Sequence, residues 1–192
     1  LAPLVLGLAA AGAELPPEGD WLDPPPQAAG ERARRLLSDL GALDPSGHLT
    51  ETGKRMAGIP LHPRLARMLV AVSGDVVKTA TAAALAALLE ERDILPQGSA
   101  PWLEDRLALL AGRQGQGEIV RRVRHTAGML ARRSGAENAR IDPALAGELA
   151  ALAWPERIAR YTTQGWMLAG GGLVHAASAT DTTMLVILDV ET

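Results

Sequence analysis

Between Thr79 and Glu91 the chain reads TATAAALAALLEE, a run of strong helix formers with almost no polar side. A helix of this kind holds only when other elements cover it all round, because an uncovered flank would leave apolar side chains in water. The run therefore belongs at the centre of a packed bundle. Its small residues let neighbouring helices come close. The rest of the composition agrees: 47% of the 192 residues are hydrophobic, largely Ala and Leu, with no Phe, one Tyr and four Trp. That bias favours helices packed through small side chains.

Leu1 to Ala13 predicts a short buried helix. ELPPEGDWLDPPP is a loop whose final proline run holds the backbone extended and then permits helix entry. Gln27 to Leu40 predicts a helix with Ala33, Leu36, Leu37 and Leu40 on one side and Glu31, Arg32, Arg35 and Asp39 on the other; Gly41 is placed to end it. Two apolar pieces, Ala42-Leu43 and His48-Leu49, flank the turn sequence Asp44-Pro45-Ser46-Gly47. Thr50 can cap the helical turn ETGKRMAG that follows. Helix, helix, small hairpin, helix is the order of a compact winged-helix module, assigned to residues 1–60.

Beyond Pro60 and Pro63 the texture changes to longer helices, assigned to a bundle of about five over residues 61–161. Leu65, Met68, Leu69 and Val72 fall on one helical face; Leu103, Leu107 and Leu110 form another stripe after Pro101. Gly112 to Gly117 reads as a connector, Glu118 to Arg133 as a helix, and Pro143 to about Tyr161 as the last helix, interrupted by Pro155. From 162 to 192, GWMLAGGGLVHAASATD and TMLVILDVET read as two strands separated by a loop, the start of a truncated β-rich region. The fold class is mainly α. The opening LAPLVLGLAAAGAE has no Met and no basic leader, and its apolar run reaches about half of the ~20 residues a bilayer requires. Leu1 is therefore read as the interior of a longer polypeptide.

No catalytic kit is visible. Cysteine is absent, which removes thiolate nucleophiles, disulfides and cysteine-based zinc sites, and suits a cytoplasmic location. GHLTETGKR departs from a phosphate-binding P-loop in spacing and carries Arg55 where the magnesium-binding hydroxyl should stand. Gly170-Gly171-Gly172 has no lysine after it. His48, His62, His125 and His175 are scattered without a metal-binding spacing, and Ser73, Ser134 and Ser178 lack the context of an activated nucleophile. Glu90-Glu91-Arg92-Asp93 reads as a charged helix end. The expectation is a segment with no cofactor and no metal of its own.

Charge is uneven along a chain of net −3. Residues 52–74 hold no acid and four bases, Lys54, Arg55, Arg64 and Arg67; residues 118–133 set Glu118 against Arg121, Arg122, Arg124, Arg132 and Arg133. Opposite the apolar line Ile119, Val123, Ala127 and Leu130, a helical wheel places Arg121, Arg124, His125 and Arg132. Such a face is most simply a solvated surface. Two basic islands in an acidic chain also suit phosphate contacts that ignore sequence. The candidate nucleic-acid contacts are Arg64, Arg67, Arg121, Arg124 and Arg132. With so few aromatics, base-stacking platforms are not expected, and the four tryptophans read as packing residues.

WLDPPP (21–26), LLSDLGALDPSGHLTETGKRMAGIPLHPRLARMLV (36–70) and LAALLEERDIL (85–95) resemble the region after the motor of DEAH-box ATP-dependent RNA helicases, most closely the bacterial HrpB type. LAWPERIAR (152–160), GWMLAGGG and TMLVILDV resemble the end of that family's helical ratchet and the strands beyond it. The resemblance implies a winged helix and ratchet working with two RecA-like motor domains of the same parent chain, which would supply the ATP and Mg sites, and lying along the path of single-stranded RNA. With a net charge of −3 and no motor in the segment, only weak RNA binding by these residues alone is expected, and no membrane partner. The other readings are a free-standing winged helix on duplex DNA, argued against by the shortness of TETGKRMAG, and a helical scaffold for a protein partner.

Overall fold

A computed structural model describes residues 1–13, 21–91, 94–96, 99–112, 117–175 and 182–188. Most of the first proline loop and of the Gly/Gln connector, Arg92 and Asp93, and the loop expected between the last strands lie outside the described residues. The chain divides into two compact units, Leu1–Val70 and Ala71–Thr192.

The first unit holds helices α1 (Ala2–Ala10), α2 (Gln27–Asp39), α3 (Glu51–Ala57) and α4 (Pro63–Ala71). Helix α2 starts directly after the proline run and ends where Gly41 takes a positive φ of 69°. Its apolar side puts Ala33 and Leu37 into a core with Leu40, Leu43, Met56, Val5 and Leu6. Ala66 and Val70 of α4 join the same core, so Pro60 and Pro63 lie within this unit.

The expected turn forms, and its own side chain ties it. Asp44 Oδ1 accepts from the backbone N–H of Ser46 (2.8 Å) and of His48 (2.9 Å), and Leu43 pairs with Leu49 in an antiparallel bridge. Thr50 then joins bridge to helix. Its hydroxyl accepts from the Gly53 N–H (2.9 Å), capping α3, and donates to the Gly41 carbonyl (2.6 Å). Its N–H donates to the Ala42 carbonyl (3.0 Å). Gly53 is where α3 touches that strand: a Cβ there would stand 2.2 Å from the Ala42 carbonyl oxygen and 2.8 Å from Leu49 Cδ1.

In the second unit, α5 (Val76–Leu89) is buried from Thr79 to Leu88, as its small-residue run demands. Asp75 caps it, accepting from the N–H groups of Val77 and Lys78 (3.0 Å each). Two threonines face inward without cost, because each finds a partner. Thr79 Oγ1 donates to the Val72 carbonyl (3.0 Å); Thr81 Oγ1 donates to the Val77 carbonyl (2.8 Å) and accepts from the Asp142 N–H (2.9 Å). Helix α7 (Glu118–Arg133) packs along α5, and α6 (Leu103–Ala111) and α8 (Ala146–Ala153) pack on it as well. Among the described residues no buried side-chain nitrogen or oxygen lacks a partner.

The end of this unit departs from the sequence expectation. The last helix stops at Ala153, followed by a 3-10 turn at Pro155–Arg157 and then strand β1 (Ile158–Thr162). Pro155 supplies no N–H to continue the helix, and the chain leaves at Trp154 with φ −133°. Strands β2 (Gly165–Leu168), β3 (Leu173–Val174) and β4 (Met184–Val186) complete an antiparallel sheet in the order β3-β2-β1-β4, so there are four short strands where two were expected. The Gly170–Gly172 turn folds the chain back and splits the first expected strand. Tyr161 and Trp166 are register partners, their rings meeting edge to face with centroids 5.3 Å apart.

Gly53→Ala is expected to destabilise the chain by about 1–3 kcal/mol, because backbone must move to admit the methyl. Thr50→Ala should cost about 1 kcal/mol through the lost cap. Urea unfolding monitored by far-UV circular dichroism measures both.

Candidate nucleic-acid interface

The five candidate arginines do different things. In the first unit, Arg67 is half-buried on α4 and its Nε donates to the Leu40 carbonyl (3.1 Å) at the C-terminus of α2. A cation there offsets the partial negative charge of the helix end. Arg64, one turn earlier and half-buried, is held at its backbone, where the N–H donates to His62 Nδ1 (3.4 Å).

On α7, Val120, Val123, Ala127, Leu130 and Ala131 face the bundle, which fixes the direction of every other side chain on the helix. Arg124 lies at the margin of the buried side and turns to α6. Its guanidinium donates to the carbonyls of Leu109 (2.8 Å), Leu110 (3.3 Å) and Gly112 (2.7 Å), closing the end of that helix. Arg122 makes a bidentate pair with Glu91 (2.7 and 2.6 Å). That hydrogen-bonded partner, together with its charge, raises the Arg122 pKa above the ordinary guanidinium value. Arg132 pairs with Glu137 across an exposed 2.9 Å contact.

One outward line on α7 runs through Glu118, Arg121, His125, Gly128 and Arg132, all exposed, with Met129 51% exposed beside it. The spacing of i, i+3, i+7, i+10 and i+14 keeps these residues on one side of the helix. The helical wheel places Arg121, His125 and Arg132 together correctly but not the engagement of Arg124, since the α6 carbonyls it meets carry no local signal. Gly128 and Met129 on this face escape a reading that looks only for charge. Among the described residues no group of His, Asp and Glu could hold a metal ion, and no helix is long and apolar enough to cross a membrane.

With this geometry in place, comparison with known proteins shows what the chain resembles. Residues 33–61, spanning most of α2, the bridge, Thr50 and α3, match the winged-helix part of the helicase associated domain. The fold is mainly α, a winged helix followed by a helical bundle and a small sheet. The particular likeness is to HrpB. The chain is 43% identical over 91 residues to the ATP-dependent RNA helicase HrpB of Escherichia coli (strain K12), covering 47% of this chain and 11% of that protein. Two crystal structures of E. coli HrpB, described as a DExH-box NTPase and as a DEAH/RHA helicase, superpose on 89% of the chain, with TM-scores of 0.64 and 0.72 and identities of 31% and 33%. Fold and sequence together match the C-terminal region of an HrpB-type helicase, and the chain spans about a fifth of the length of those structures.

Arg124→Gln is expected to lower stability by about 1–3 kcal/mol, leaving α6 carbonyls without their charged donor. Arg132→Gln should leave the urea midpoint nearly unchanged, since an exposed pair contributes little. Paired urea titrations separate the two.

Proposed function

We propose that this chain is the accessory winged-helix and ratchet part of an ATP-dependent RNA helicase. It works with RecA-like motor domains of the same parent protein, which bind ATP and Mg, and helps guide single-stranded RNA. The observation that carries the reading is the match to HrpB over 89% of the chain at 33% identity. The segment brings no catalytic chemistry of its own to the task.

Its contribution is mechanical. Pro60 and Pro63 fix the backbone at the entry to α4, and Ala66 and Val70 pack α4 into the core of the first unit, so that unit moves as one piece. The buried spine of the second unit makes the outward face of α7 a stiff surface rather than a mobile tail. Phosphates are held directly by Arg64, Arg121 and Arg132. Arg67 in the first unit and Arg124 in the second act indirectly, each by fixing a helix end.

The test uses the full-length gene product and a fluorescent oligouridylate titrated across a salt series. The double variant Arg121→Gln/Arg132→Gln should bind more weakly at every salt concentration. Its plot of log K against log salt should be shallower by about 1.4, at ~0.7 per lost single-strand phosphate contact. Unchanged affinity and slope would remove α7 from the RNA path and favour a protein-docking role for the bundle.

A further inference from the structure

The geometry points to Gly128 as a positioning residue: we propose that its bare backbone lets the sugar-phosphate strand of single-stranded RNA lie directly against α7 between Arg121, His125 and Arg132. The inference rests on the RNA-guiding function proposed above and adds to it a residue and a mode of contact.

Gly128 is the eleventh residue of a 16-residue helix, well inside it. Glycine there costs stability relative to alanine, because it loses more backbone freedom on folding. Three ordinary reasons for an interior glycine do not apply. Its φ is not among the positive values of the chain. Nothing lies within 4 Å of where its Cβ would stand, so no neighbouring element among the described residues needs the space. It does not end the helix, which continues to Arg133. This differs from Gly53, whose missing Cβ is explained by the Ala42 carbonyl 2.2 Å away. Gly7 and Gly147 also have open space, but they sit within a turn or so of the ends of short helices, where less is lost.

What surrounds the gap selects the ligand. Arg121 and His125 precede it and Arg132, paired with Glu137, follows it on the same line, which begins at Glu118, the one acid in the helix. Arg121 and Arg132 are 11 residues apart, about 16 Å at ~1.5 Å per residue, so a polyanion touching both must pass over Gly128. A side chain there would hold the strand away from the helix and from one of the two cations. With only hydrogen at Cα, the strand can settle to van der Waals contact, with Cα–H groups facing its oxygens.

The experiment compares wild type, Gly128→Ala and Gly128→Leu in the full-length gene product, with Arg121→Gln/Arg132→Gln as reference. Melting temperature and affinity for a fluorescent oligouridylate are measured on each. Gly128→Ala should melt ~2–4 °C higher and bind roughly tenfold more weakly, as expected for one lost charge-assisted contact. Gly128→Leu should bind more weakly still. An alanine variant that is stabilised and binds with wild-type affinity would overturn the inference while the arginine variant still upholds the guiding role. Unchanged RNA affinity with impaired RNA-stimulated ATP turnover would also overturn it, placing a protein surface against Gly128. A wild-type protein that binds no RNA would overturn both.

Discussion

The second unit depends on how closely its helices can approach α5. From Thr81 to Ala87 that helix presents seven consecutive residues with no exposed surface, five of them alanine. Five methyl groups bury modest area each. Their value is shape: they bring backbones near enough for the Thr81 hydroxyl to accept from the Asp142 N–H. Replacing this spine with large side chains would demand a wider bundle. The orientation of α7 follows from the same packing, since Val123 and Leu130 can be buried only if the line from Arg121 to Arg132 faces out.

The first unit solves a similar problem at smaller scale. Its hairpin is a single bridge, too small to stand alone. Thr50 and Gly53 compensate by fastening it to α3, one through hydrogen bonds and the other through the absence of a side chain. The match to the helicase associated winged helix falls on these residues, 33–61, where local geometry leaves least freedom.

Much of this was legible in the chain. Periodicity placed α2 and α7 within a residue of their observed bounds, Asp44 to Gly47 announced the turn, and the Ala-rich run announced the spine. Local signals sufficed because each element is decided by its own residues. Strand β1 was not legible: Ile158–Thr162 continues a helical texture, and its pairing with β2 and β4 comes from residues further along the chain. The arginines were half legible. Their positions on the helix followed from spacing, but Arg67 and Arg124 are engaged by carbonyls 27 and 12–15 residues away, which no window of sequence reveals.

Photocrosslinking reads the proposed contact between RNA and the outward face of α7 most directly. The full-length gene product would be irradiated with a 4-thiouridine-containing single strand, digested with trypsin and mapped by mass spectrometry. The peptide from His125 to Arg132, HTAGMLAR, lies between two cleavage sites and spans the centre of the face. It is expected to carry crosslinked nucleotide, reduced by excess unlabelled RNA. A crosslink map that covers other parts of the protein and leaves this peptide unmodified would contradict it.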